Sequence, residues 1–133
     1  MKKLLLATSS ILILFIYACS TSQAQPNANL LPPTEFKKQL DNNYEKAVIL
    51  DVRTPEEYRD GHLHNAVNMD WDGNDFTKQI QTLDKNAPVF VYCYGGGRSS
   101  SAAKELRKQG FKNVYDLKGG FEAWREAGLP EVK

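Results

Sequence analysis

Cys93 is the residue of this sequence best placed for covalent chemistry. It follows the apolar run Val89–Tyr92, which is typical of a buried strand, and precedes the three glycines Gly95–Gly97. Because glycine lacks a Cβ, the N–H groups of these residues can turn toward the sulfur and form an anion-binding cup. The pattern from Ser99 onward predicts a helix, and the N-terminus of a helix favours a thiolate. We therefore predict that Cys93 is a nucleophile.

Arg98 indicates that the substrate is an anion or releases one. Its guanidinium offers forked donors that match a sulfonate or a phosphate. Tyr94 would either flank the mouth of the pocket or simply pack beside the loop. An alternative interpretation is that Cys93 is a small buried hydrophobic residue and that the glycines form an ordinary turn. The substrate-binding residues that we predict are Tyr94, Gly95, Gly96, Gly97, Arg98 and Ser99.

Four segments of the chain resemble, in the same order, the segments that mark the rhodanese-like sulfurtransferases. Cys93–Ser99 matches the C-x-x-G-x-R-S active-site loop of that family. The other three are Asp51–His62, similar to D-V-R-x-x-x-E-(Y/F)-x-x-G-H, Ala66–Asn68, similar to A-x-N, and Gly119–Trp124, similar to G-G-(F/W/Y)-x-x-W. The resemblance covers roughly Pro33 to Val132. It departs from the family at His64-Asn65, where Pro-Gly is usual.

The resemblance implies a single rhodanese-like domain that moves sulfur through a cysteine persulfide. The Cys93 thiolate would take the outer sulfur of a donor such as thiosulfate, a persulfide or a polysulfide. The loop would hold the persulfide, and Arg98 would bind the sulfonate end of the donor. A thiol, which could belong to another protein, or cyanide would then accept the sulfur. No cofactor is implied.

Two other functions stay open on the sequence alone. Cysteine phosphatases and the related arsenate reductases also place a cysteine and an arginine around an anion loop, with the spacing C-x5-R. Four residues separate Cys93 from Arg98 here, and the smaller loop suits a sulfur atom better than a tetrahedral phosphate. A non-catalytic rhodanese-like module that binds a partner is the other alternative, although a binding module has no need of a reactive thiol.

Asp51, Arg53 and Glu57 are predicted to be structural residues, and the alternative is that they hold the Cys93 loop in shape from outside it. Asp51 ends an apolar run that predicts a buried strand, and we expect its carboxylate to accept backbone N–H bonds in the neighbouring turn. Arg53 is expected to pair with Glu56 or Glu57 at the start of the next helix. A structural role is predicted for all three because a single carboxylate without a partner makes a poor acid–base pair.

Composition narrows the classes of partner. A chain of 133 residues with 41% hydrophobic and 25% charged residues suits one globular domain. The formal charge of +1 gives no basic field for nucleic acid, so none is predicted as a partner. The histidines, His62 and His64, have no cysteine near them in sequence, and we predict no metal site.

The first residues read as an export signal. Lys2 and Lys3 precede an apolar run, so residues 1–18 are predicted to be a signal peptide. Ile16–Cys19 resembles a bacterial lipobox, which implies that Cys19 is lipidated and anchors the protein to a membrane facing the periplasm. Residues 19–30 would be a flexible tether and residues 31–133 the folded domain. Ordinary cleavage after Ala24 is the alternative. A lipidated Cys19 has no free thiol, so no disulfide with Cys93 is expected.

Strand and helix patterns alternate along the domain. Such alternation predicts an α/β fold with a mainly parallel sheet and helices on both faces. The strands are predicted at 48–50, 66–69, 89–92 and 111–117, and the helices at 34–40, 75–83, 99–109 and from 121 onward.

Overall fold

A five-stranded sheet organises the protein. A computed structural model describes residues 29–133, and all strand pairings of the sheet are parallel, in the order β1-β5-β4-β2-β3. The strands are β1 (Leu30–Leu31), β2 (Val48–Asp51), β3 (Val67–Asn68), β4 (Val89–Tyr92) and β5 (Val114–Leu117). The helices are α1 (Pro33–Asn43), α2 (Pro55–Arg59), α3 (Phe76–Ile80), α4 (Gly97–Lys108) and α5 (Gly120–Glu126).

The core is divided by the sheet into two clusters. On one face the buried side chains of α3 and α4, among them Phe76 and Leu106, pack against β4. On the other face, α1 and α5 bring Phe36 and Trp124 against Phe90, and the Phe36 and Phe90 rings meet edge to face at 5.2 Å. The predicted parallel sheet with helices on both faces is therefore confirmed. The central strand β4, buried at every residue, ends where the predicted active-site loop begins.

Two elements are at least three residues shorter than their sequence patterns predicted. The helix expected over 75–83 is only Phe76–Ile80, because the N–H groups of Thr82 and Leu83 bond three residues back and form turns. The strand expected from residue 111 begins at Val114, because Phe111 N–H bonds to the carbonyl of Leu106 and closes the turn after α4. Neither difference moves a predicted site residue.

Residues 29–133 contain no helix with the length and apolar character needed to cross a bilayer. The predicted signal peptide, the lipidated Cys19 and most of the predicted tether lie outside the described residues.

Candidate active site

Cys93 lies directly after the central strand, at the carboxyl end of the sheet. It exposes 1% of its surface and is the free cysteine of residues 29–133. Its sulfur accepts the backbone N–H of Gly96 at 3.0 Å and lies 3.5 Å from the Ser99 hydroxyl. The N-terminus of α4 begins one residue after Gly96, so its free N–H groups and the positive end of its dipole lie beside the sulfur. These donors can hydrogen-bond an anion that forms at this position.

The three glycines of the loop have different roles. Gly96 has φ +107°, a backbone conformation that favours glycine, and it caps α4. A Cβ built on Gly95 or on Gly97 would meet no atom within 4 Å. Within the described chain, Gly96 is the loop residue whose N–H donates to the Cys93 sulfur. The predicted cup thus depends on the conformation of one glycine, and the other two leave open space around it.

Arg98 is held by Glu57 on α2. Two N–H groups of its guanidinium donate to the two carboxylate oxygens at 2.8 and 2.9 Å, in the bidentate geometry that fixes an arginine in direction. Glu57 also accepts the Thr54 N–H and closes a capping box at the start of α2. The hydrogen bonds from Arg98 lower the pKa of Glu57 to about 2. Glu57 therefore ties α2 to the active-site loop, as a structural residue.

Arg53 pairs with Asp51 and not with Glu56 or Glu57, so the predicted pairing is wrong. The Arg53 guanidinium donates to both Asp51 oxygens, the shortest contact being 2.6 Å, and both side chains are buried. The Arg53 backbone N–H also donates to Asp51 Oδ1, at 3.0 Å, so both the main chain and the side chain of Arg53 bond to the carboxylate at the end of β2. Glu56 is exposed and pairs with Arg59 instead.

The buried Asp51 and Arg53 belong to a hydrogen-bond network beneath the site. The Tyr92 hydroxyl donates to Asp51 at 2.7 Å and accepts the Leu63 N–H at 3.1 Å. Arg53 also donates to the carbonyl of Gly61 and lies over the Phe121 ring, 4.2 Å from its centroid. Because Tyr92 precedes Cys93, this network fixes the end of β4 from the face opposite α4.

The start of α5 supports the loop in a way that sequence reasoning missed. The Phe121 and Glu122 N–H groups donate to the carbonyls of Cys93 and Tyr94 at 2.8 and 3.1 Å. A Cβ on Gly120 would lie 2.3 Å from the Tyr94 carbonyl oxygen, and its φ is +64°. The Gly119-Gly120 pair belongs to a segment that resembles the family, yet only the structure gives its role, which is the close approach of two backbones.

Tyr94 lies at the surface beside Cys93, whereas the two histidines contact residues outside the active-site loop. Tyr94 is 44% exposed, and its side chain lines a shallow polar cleft with Arg53, Glu57, Asp60 and Arg125. His62 stacks on Tyr58, and His64 contacts the Tyr44 hydroxyl at 2.8 Å. Residues 29–133 contain no cluster of side chains able to hold a metal ion.

The arrangement provides one nucleophile and a set of fixed donors around it. A thiolate at Cys93 can attack an electrophilic sulfur, form a covalent intermediate and release an anion near α4 and Arg98. Ser99, buried on α4, is the side-chain hydroxyl that contacts the sulfur. Asp116 on β5 was not predicted as a site residue, although an acidic residue within the apolar strand Val114–Leu117 was the available signal.

Comparison with known proteins places this site in a family. A family model described as Rhodanese-like domain matches residues 32–127. Thiosulfate sulfurtransferase GlpE of Pseudomonas entomophila is 44% identical over 81 residues, which make up 61% of this chain and 72% of that protein. A solved structure of the rhodanese-like domain of an Anabaena protein is 32% identical, with a TM-score of 0.69 over 78% of each chain.

A further solved structure comes from Rhodopseudomonas palustris and is titled a protein of unknown function, possible tyrosine phosphatase. It is 30% identical, with a TM-score of 0.65 over 78% of this chain and 84% of that one. The family model covers nearly the whole described chain, and the solved structures share its architecture. The chain belongs to the rhodanese-like domain family.

Proposed function

We propose that the protein moves a sulfane sulfur from a donor such as thiosulfate through a Cys93 persulfide to a thiol or cyanide acceptor. Sulfurtransferase activity in general is supported by the family and by the relatives named as thiosulfate sulfurtransferases. The observation that carries the proposal is the Cys93 sulfur, which accepts the Gly96 N–H at 3.0 Å beside the N-terminus of α4.

The proposed reaction has two displacement steps. The Cys93 thiolate attacks the outer sulfur of thiosulfate, a bond forms between the two sulfurs, and the bond to the inner sulfur breaks. Sulfite leaves with the bonding electron pair. An acceptor thiolate or cyanide then attacks the outer sulfur of the persulfide, and Cys93 leaves as a thiolate, ready for another cycle.

The loop would act on the charged species at each step. The Gly96 N–H, which donates to the resting sulfur, would stabilise the thiolate that returns when the acceptor leaves with its sulfur. Arg98 has five N–H donors, of which two bond to Glu57. The remaining donors would face the sulfonate of the donor molecule. A fixed guanidinium suits this task because its orientation needs no rearrangement on binding.

Intact mass spectrometry of the reduced full chain tests this proposal. After incubation with thiosulfate, the protein should gain the mass of one sulfur atom, and cyanide or a thiol should remove it. Cys93→Ser is the control and should gain nothing. No gain with thiosulfate or with polysulfide would contradict sulfur transfer. Hydrolysis of p-nitrophenyl phosphate would then favour a cysteine phosphatase, and absence of both reactions would favour a binding module.

We also propose that the protein is exported and anchored in a bacterial membrane through lipidated Cys19, on the strength of the lipobox-like Ile16–Cys19. Full-length protein should fractionate with membranes, and Cys19→Ala should not. Cys93→Ser, which leaves the lipobox intact, is the control and should stay with the membranes. A soluble wild-type protein whose N-terminus is Gln25 would instead establish cleavage after Ala24.

A further inference from the structure

Asp116 has a buried carboxyl group that takes part in none of the hydrogen bonds or ion pairs described above. Its residue is 4% exposed, and its Oδ1 atom has no hydrogen-bond partner among the described residues. Burial of a carboxyl group without a partner is costly, and native proteins keep few such groups. A buried carboxyl oxygen without a partner, in the same core as a cysteine, therefore requires a functional explanation.

The register of the sheet places Asp116 on the same face as Cys93. Asp116 pairs with Val91 on the neighbouring strand, two residues before Cys93. Side chains two residues apart on a strand share a face, and Val91, Cys93 and Val114 all belong to the core cluster beneath α4. Asp116 follows Val114 by two residues, so its carboxyl group also points toward α4.

Ser99 lies between the thiol and the carboxyl group. Its side chain is fully buried on α4, its hydroxyl lies 3.5 Å from the Cys93 sulfur, and it donates to the Gly96 carbonyl at 3.2 Å. Burial raises the pKa of Asp116 to about 6. The largest of the effects that lower this pKa is hydrogen bonding with the same Ser99 hydroxyl. One hydroxyl thus acts on both groups.

We propose that Ser99 and Asp116 form a buried relay that removes the proton from the Cys93 thiol when the thiol attacks. The Ser99 hydroxyl first turns from the Gly96 carbonyl to the Asp116 carboxylate. The thiol proton then passes to the Ser99 oxygen while the Ser99 hydroxyl proton passes to that carboxylate. The products are the Cys93 thiolate, which accepts a hydrogen bond from Ser99, and a neutral Asp116 acid. No electron is transferred and the total charge is unchanged, which suits a site closed to water.

The charged groups around the relay lie on α4, on α2 and in the loop before α3. Arg107 on α4 faces Asp116, while the strand neighbours of Asp116, Leu30 and Val91, carry no titratable side chain. On the side of Cys93 the charged group is Arg98 on α4, which Glu57 on α2 and Asp72 before α3 face in turn. Asp116 is thus the one carboxyl group beneath α4 within the described residues. It acts through Ser99, as a positioning residue and proton acceptor.

Alkylation of Cys93 by iodoacetamide in the full chain tests the relay, with the rate read at the Cys93 peptide by mass spectrometry from about pH 5 to about pH 9. In the wild type we expect reactivity to fall only below about pH 6, where Asp116 becomes protonated. Asp116→Asn and Ser99→Ala should each slow alkylation near neutral pH by at least about tenfold and move the fall to higher pH. The double variant should be no slower than either single one.

Ser100→Ala and Asp84→Asn, exposed residues away from the sulfur, are the matched controls and should react like the wild type. If Asp116 were only a negative charge near the thiol, Asp116→Asn would favour the thiolate and react as fast as the wild type or faster, and the relay would be wrong.

If Asp116→Asn does not fold, the Asp116 carboxyl is titrated by carbon NMR in the wild type and in Cys93→Ser. A coupled pair shifts the titration between the two proteins, and identical titrations would contradict the relay. The inference rests on the proposed role of Cys93 as the nucleophile. Because iodoacetamide needs no sulfur donor, failure of the relay is distinguishable from failure of sulfur transfer.

Discussion

At the scale of single residues, the site depends on charges that are paired before any substrate arrives. Arg98 is fixed by Glu57, and Arg53 is fixed by Asp51 beneath the end of β4. A guanidinium that is already oriented binds an oxyanion without losing further side-chain entropy. The cost is that each of these pairs couples the geometry of the loop to the protonation of a carboxyl group.

Glu57→Gln measures that coupling. The pKa of Glu57 is lowered to about 2 from 4.5, so its stabilising effect is present above about pH 4.5 and is lost as the pH falls through about 2. Since both partners are partly exposed, we expect Glu57→Gln to lower the free energy of unfolding at pH 7 by about 1–2 kcal/mol, with the difference vanishing in acid.

Urea unfolding of both proteins at several pH values checks this expectation. Glu56→Gln, on the same helix but pairing only with exposed Arg59, is the control and should change stability little. A Glu57→Gln protein as stable as the wild type at neutral pH would show that the ion pair does not hold the loop.

Several roles could be predicted residue by residue, and others could not. Cys93 was identified because its surroundings, strand, glycines and helix, are contiguous in sequence. The partner of Arg53 was not, because the helix pattern favoured the two glutamates, whereas in the folded chain the Asp51 carboxylate accepts both main-chain and side-chain N–H groups of Arg53. Asp116 lies on the same face of the sheet as Cys93 because of the register of β5 against β4, and no local sequence pattern specifies that register.

At the scale of elements, the Cys93 loop lies between the N-termini of two helices, α4 and α5. The N-terminus of α4 lies beside the Cys93 sulfur. Backbone N–H groups at the N-terminus of α5 donate to the carbonyls of Cys93 and Tyr94. The limits of β4 and the alternation of strands with helices were predictable from hydrophobic patterns. The shortening of α3 was not, since the apolar spacing of Phe76 and Ile80 is the same in a helix and in a helix followed by turns.

Gly120→Ala and Gly97→Ala form a matched pair at this scale. A methyl group at Gly120 would lie 2.3 Å from the Tyr94 carbonyl oxygen, in a conformation with φ +64°. We expect a loss of roughly 2–5 kcal/mol of stability from overpacking and backbone strain together. Gly97 lies in the first turn of α4 with open space around it, so alanine there should be neutral or stabilise by about 0.5 kcal/mol.

Thermal unfolding and persulfide formation are measured on both variants. Gly120→Ala should lose stability and persulfide formation together, because the carbonyls it displaces belong to Cys93 and Tyr94. Equal behaviour of the two variants would mean that the contact between α5 and the loop is not essential.

At the scale of the whole molecule, the N-terminal edge of the domain belongs to the sheet. β1 pairs with β5, and the carbonyls of Asn29 and Leu31 accept the N–H groups of Asp116 and Lys118, both at 2.8 Å. The same backbone that carries the proposed proton acceptor is therefore held by the first residues of the described chain. Topology of this kind, in which the first strand lies beside the last, is not encoded in any local pattern.

Removal of the residues before Pro33 tests this connection. Compared with a chain that begins at Asn29, it loses the two hydrogen bonds to β5 and the packing of Leu31 against the core. We expect a loss of about 2–4 kcal/mol, seen as a decrease in Tm of roughly 10 °C or more. Cys93 alkylation should slow in parallel if β1 keeps Asp116 in place. An unchanged Tm would show that the domain proper begins at α1.

The outermost strands of the sheet, β1 and β3, are each two residues long. Strands this short present few unpaired N–H and C=O groups, so they offer little template on which another chain could add a strand. The most apolar segment, β4, is the central strand and has no free edge. Copies crowded side by side on a surface should therefore resist edge-to-edge aggregation, even though the strand that positions the cysteine would be aggregation-prone if exposed.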